Sequence, residues 1–210
     1  MSSPQAAKTR GAGSISCAVV LFALLVVVLT AAAPAMAAPA KVVNGDTQLT
    51  IPKAQVPALT AINVAVLPVS PVSFRFQWEP GVSWLYDLPI ASASTFDYAA
   101  KKGAFYHAGK LRFVNVLTEQ ELLMGGLRVV VTNAQTIALS SAVGTAPATR
   151  AVVFTATNAP GYAKQGKTIM IDGIQFKLTD AGALALKLAL GVDLPTTTLF
   201  ADVDLRFKIR

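Results

Sequence analysis

Hydrophobic and polar positions in this chain alternate over short runs far more often than they recur at helical spacing. In residues 47–51 Leu49 and Ile51 share one face, and residues 63–67 form a β-rich run closed by Pro68 and Pro71. Residues 72–78 alternate strictly. Val72, Phe74, Phe76 and Trp78 point one way and Ser73, Arg75 and Gln77 the other, a period of two that predicts sheet core, with a ligand groove as the alternative. After the turn Glu79-Pro80-Gly81, strands are predicted over residues 82–90 and 95–98, and from Lys110 onward Leu111 and Phe113 alternate with Arg112 and Val114. Gly125-Gly126 ends a short irregular or helical segment and launches a strand over 127–132. Further strands are predicted over 136–140 and 150–157, on either side of a Gly/Ser/Ala/Pro loop at 141–149. Residues 168–178 read as a hairpin broken at Asp172-Gly173. At the end of the chain, Val203, Leu205, Phe207 and Ile209 alternate with Asp202, Asp204, Arg206, Lys208 and Arg210, the pattern of a strand with one solvated face.

Helical signals are few. Residues 52–62 allow one or two turns, limited by Pro57. A full helix is predicted near 179–190, where Thr179 can cap the N-terminus, Asp180 suits the helix dipole, and Gly191 follows the Ala/Leu run. The predicted fold is all-β, an antiparallel β-sandwich or open barrel with this one helix in its C-terminal region.

Ahead of the strands, Lys8 and Arg10 precede an uncharged apolar run from Cys17 to Leu29, followed by Ala35-Met36-Ala37. This is the order of a secretory signal, with cleavage expected after Ala37. A retained membrane anchor over 15–33 is the rival reading, since a crossing needs about 20 apolar residues. A lipid anchor would need a cysteine after the apolar run, whereas Cys17 opens it. The expected organisation is a signal peptide at 1–37, a flexible segment at 38–46 and a single domain over 47–210, in a product secreted or held at the cell surface.

Removing residues 1–37 takes away the only cysteine, two of 18 basic residues and none of 11 acidic ones, leaving a formal charge of +5. Without cysteine the exported chain has no disulfide, thiolate ligand or thiol nucleophile, so its stability must come from a packed core. The positive charge suits an anionic cell envelope. Nucleic acid is not an expected partner, because basic residues and aromatics are not interleaved in a cluster.

His107 is the only histidine, so Ser-His-Asp chemistry would have to use it, and no Gly-x-Ser-x-Gly elbow is present to place the serine. HExxH and the phosphate-cradling glycine motifs are also missing. The carboxylates Asp202 and Asp204 share a strand face with Arg206 and Lys208 and read as solvated. No nucleophile–base set emerges, and the chain is read as a non-enzyme, an exported hydrolase being the lesser alternative. His107 itself is expected to bond a neighbouring backbone group at a strand junction, because buried polar groups need partners.

One set of short motifs resembles a known family. Asp87-Leu88-Pro89-Ile90, Gly103-Ala104-Phe105-Tyr106-His107, Gly109-x-Leu111-x-Phe113 with Asn115, and Gly173-Ile174-x-Phe176-x-Leu178-Thr179 follow in the order seen in secreted actinobacterial β-sandwich proteins related to the HtaA-type domain. The resemblance implies a β-module that binds haem at the bacterial surface through a tyrosine ligand, with a histidine hydrogen-bonded to that tyrosine. His107 matches the histidine. The aromatic stretch in which the tyrosine is expected holds Phe74, Phe76 and Trp78 and no phenol, which leaves Tyr86, Tyr98 and Tyr106 as candidate substitutes. If the stretch is extended, Tyr106 and His107 point to opposite faces. The sequence therefore predicts an envelope-associated β-domain with a structural or binding role and no cofactor. Its alternative is HtaA-like binding of haem or another hydrophobic small molecule near His107.

Overall fold

In the computed structural model, the residues described are 38–78, 81–132, 136–141, 151–196 and 199–210, those of 136–141 by backbone alone. Strand β1 (Ala40–Ile51) and strand β13 (Leu199–Ile209) pair antiparallel from Val42↔Ile209 to Thr50↔Asp202, joining the two ends of the domain. The other edge of β1 pairs with β4 (Ser83–Pro89), which pairs with β3 (Ser73–Gln77). β13 continues to β12 (Thr168–Leu178), whose first half pairs with β11 (Gly161–Gln165). A second layer runs from β2 (Val64–Val69) through β7 (Lys110–Asn115), β8 (Glu121–Val131) and β9 (Thr136–Ser141) to β10 (Ala151–Ala156).

The layers are joined at two corners. β10 pairs with the last residues of β12, while β5 (Thr95–Asp97) and β6 (Lys102–Tyr106) lead from the start of β1 to β8. Every pairing is antiparallel, and the result is the predicted β-sandwich, with β2, β3 and β11 at its free edges. Each of the inner faces contributes to one core, in which Phe96, Phe105 and Phe207 are fully buried with ring centroids 4.8–5.8 Å apart. Burying each such ring stabilises the fold by about 2–3 kcal/mol relative to leaving it in water. The strands, both helices and this core all lie within the compact unit Ala38–Arg210, which has what a domain needs to fold alone.

Helix α1 (Val56–Ala61) is the short turn that Pro57 permits, and helix α2 (Asp180–Leu190) is the one predicted from its caps. The Thr179 hydroxyl accepts from Gly182 N–H at 3.1 Å, and Gly191 ends the helix at φ 68°. That left-handed conformation suits glycine.

Four local expectations are corrected. Residues 40–46 are strand, not a flexible segment, because β13 and β5 supply hydrogen-bond partners that polar composition could not reveal; Val42 is buried. β8 runs straight through Gly125-Gly126, where the β9 register shifts and Gly126 takes φ 57°, so the irregular segment before the glycines is confined to residues 116–120 and the strand begins at Glu121, ahead of them. Asp172-Gly173 is a bulge inside one strand. Gly173 N–H donates to Asp204 at 2.7 Å, and Asn158 spans the gap between β10 and β11 by bonding Gly173 O and Gln175 N–H. The true hairpin joins β11, which the pattern did not reveal, to β12. Finally, the aromatic stripe is core only in its first half: Val72 is buried and Phe74 is half-buried against Tyr86, while Phe76 on edge strand β3 is 50% and Trp78 just after it 69% exposed. The predicted loop at 141–149 lies outside the described residues, apart from Ser141 at the end of β9.

Candidate functional site

His107 stands where β6 ends and before β7 begins, and its backbone ties three segments together. Its N–H donates to Leu127 O at 3.0 Å, it bridges Ile90, and the next N–H, from Ala108, reaches Pro89 O. Gly109 then turns the chain at φ 84°. A Cβ there would lie 2.6 Å from Val72 and 2.9 Å from Val69 O, so only glycine fits against the corner between β2 and β3.

The imidazole is 7% exposed and both nitrogens are engaged. A carbonyl can only accept, so Nδ1 carries the proton and donates to Leu127 O at 3.3 Å. Nε2 then accepts the Thr47 hydroxyl at 2.6 Å, across to β1. Burial pulls the pKa down to about 4, against a smaller opposing effect of the Leu127 carbonyl, and the ring is neutral at physiological pH. Among the described residues, no carboxylate contributes to its titration.

The three candidate tyrosines are scattered. Tyr86 is fully buried and donates to Val66 O at 2.8 Å, and desolvation pushes its pKa upward, which opposes a phenolate. Tyr106 lies on the opposite face from His107, with the Arg128 guanidinium 5.0 Å from its ring centroid. Tyr98 sits at the far end of β6, beneath the Lys101 ammonium at 3.3 Å. Haem ligation through a histidine-supported phenolate needs an ionisable phenol beside the imidazole. These residues do not fit that requirement, because the hydroxyl beside His107 belongs to Thr47.

Two surface regions escaped the sequence reading. The outer face of β3, β4, β1, β13 and β12 holds a polar depression of about 660 Å³. In it Asp87 accepts from Gln48, Ser73 and Arg75 at 3.1–3.4 Å. Asp172 and Asp202 have raised pKa values, first through burial and then through repulsion by Asp204, so the expectation of plainly solvated carboxylates on β13 is corrected to half-buried ones. No group of three potential metal ligands occurs among the described residues.

The second region is the end of the sandwich where β1 begins. Lys101 lies between the rings of Tyr98 and Tyr162, 3.3 and 4.8 Å from their centroids, and Tyr162 stacks on Phe96. Lys164 approaches Tyr98 at 5.3 Å. These lysines are far apart in sequence and no local motif marks them; the signal was a pair of basic turns, Lys101-Lys102 and Lys164 to Lys167, in a chain otherwise poor in charge.

Neither a protein-family profile nor a curated protein matches the sequence. Solved structures do resemble the fold. The C-terminal domain of HtaA from Corynebacterium glutamicum superposes with a TM-score of 0.55 at 12% identity, covering 80% of this chain and 99% of that domain. A domain-swapped dimer of a histidine-to-alanine variant of the same domain gives 0.53 at 12% identity, covering 74% and 90%. The N-terminal domain of HtaA gives 0.49 at 13%, covering 80% and 98%. The resemblance first carried by short motifs therefore holds for the architecture: this chain has the fold of the HtaA C-terminal domain.

Proposed function

We propose that the chain is an exported, non-enzymatic binding domain of the cell envelope that meets its partner on its surface and not through His107. The observation that supports this reading is the closed imidazole, with Nδ1 on Leu127 O and Nε2 on the Thr47 hydroxyl. A histidine that binds a ligand directly must offer it a free nitrogen. A hydrolase would further need a carboxylate to orient the ring and a serine beside it.

Haemin titration of residues 38–210 tests the reading. No shifted Soret band is expected at equimolar haemin, whereas a shift that His107→Ala or Tyr86→Phe removes would overturn it. Export is tested by fractionating cells and weighing the product, with a mature N-terminus at Ala38 expected. A cytoplasmic, full-length product would contradict it.

A second reading keeps a hydrophobic ligand, as the shared fold suggests, but moves it. An apolar groove of about 90 Å³ lies among Leu59, Leu178, Leu194 and Phe200. It admits the tip of an acyl or aromatic group but not a macrocycle.

A further inference from the structure

The excess positive charge of residues 38–210 is gathered at one end. Lys41 opens β1, Lys101 and Lys102 form the turn into β6, Lys164 and Lys167 flank the β11–β12 turn, and Lys208 and Arg210 close the chain. Pairings bring these segments together. Lys41 is opposite Thr95 and its carbonyl accepts Arg210 N–H at 3.0 Å; Ile209 N–H reaches Lys167 O at 3.0 Å; Lys208 is opposite Thr168. Lys101 and Lys164 meet over Tyr98.

All but Lys101 are exposed, and none joins an ion pair among the described residues. Two acidic residues lie near these cations: Asp97, opposite Lys102 with its Oδ1 occupied by Ala100 N–H, and Asp46, which lines the same surface depression as Lys208. Elsewhere in 38–210, nine basic residues stand against nine acidic ones. The seven cations at this end therefore hold the entire excess.

The chain also enters the domain here. Ala40 pairs with Phe96 at the start of β1.

We propose that this basic end docks on a bilayer surface carrying anionic phospholipid headgroups, a role that rests on the envelope location proposed above. Clustered lysines gain affinity for such a surface with each added charge, and the gain falls with salt. Tyr98 and Tyr162, both half-buried against the core, supply amphipathic rings of the kind found at headgroup level, with Lys101 over both and Phe96 stacked on Tyr162.

Co-sedimentation of residues 38–210 with vesicles tests this. Binding is expected to phosphatidylcholine vesicles containing phosphatidylglycerol, not to phosphatidylcholine alone, and it should weaken steeply as salt is raised. The variant Lys102→Gln/Lys167→Gln/Lys208→Gln should bind about 100-fold less tightly, on about fivefold per charge. A charge-matched control, Lys110→Gln/Lys177→Gln/Lys187→Gln, should stay within about fivefold of the parent. Circular dichroism melts of both variants verify folding. Absence of binding, equal loss in both variants, equal binding to neutral vesicles, or capture by soluble polyphosphate without capture by vesicles would each overturn the proposal. Failed vesicle binding in a protein that still fractionates with the envelope and ignores haemin would sink the docking surface and leave the functional reading standing.

Discussion

His107 and Lys101 flank one strand, β6, and place a cation-forming side chain in opposite ways. The imidazole is buried, neutral and bonded on both sides to the fold, whereas the ammonium lies on the faces of two tyrosines at a surface crowded with like charges. Being unique in the sequence made His107 the natural candidate for chemistry. The hydrogen-bond inventory reverses that ranking, because a group whose partners all lie inside the protein has no valence left for a ligand, while uncompensated charge has its partner elsewhere.

Mutation of the two residues should separate these roles. His107→Ala leaves a cavity and an unpaired Thr47 hydroxyl, and should cost about 3 kcal/mol, or a fall of about 6–12 °C in melting temperature. Lys101→Gln should cost about 1 kcal/mol, between the exposed and the desolvated ends of the cation–π range, because the ammonium is half-buried. Similar losses in the two variants would erase the distinction.

Acid should sharpen it. The folded pKa of His107, about 4, lies below the ordinary unfolded value of 6.5. The unfolded chain therefore binds the proton first, and the histidine's contribution is complete above pH 6.5 and is lost progressively as pH falls toward 4. The loss should approach about 3 kcal/mol. Asp172 and Asp202, whose folded pKa values are raised, act in the opposite sense, since protonation relieves them as pH falls through those values. Comparing urea midpoints of the parent and His107→Gln across this range isolates the histidine, and parallel curves would contradict the assignment.

Smaller effects should follow at the edges of the comparison. Tyr86→Phe removes one buried hydrogen bond, to Val66 O, and should cost about 1 kcal/mol in denaturant titration. Trp78→Ser, on the exposed end of the stripe just after β3, should change stability by less than about 0.5 kcal/mol. A larger loss would mean that β3 is covered in solution.

What the sequence made legible follows the range of the interactions involved. Helix α2 could be read because Thr179 and Gly191 cap it locally, and the role of His107 as a junction residue could be read because β6 and β7 flank it directly. Asp172-Gly173 was misread because hairpin and bulge share the same dipeptide, and the choice is made by Asn158 and Asp204, distant in sequence. Alternation in residues 72–78 correctly gave the shared face, but not how far another layer covers it; among the described strands β3 pairs with β4 alone. The basic end was invisible for the same reason, its lysines being assembled from four separate turns and termini.

Because the chain holds a single histidine, NMR of histidine labelled with nitrogen-15 in the imidazole reads the central claim from one residue. Burial between Thr47 and Leu127 predicts a neutral ring with the proton on Nδ1 and no titration until the pH approaches about 4. A ring that titrates freely near the ordinary histidine value, or carries its proton on Nε2, would contradict the closed site on which the reading depends.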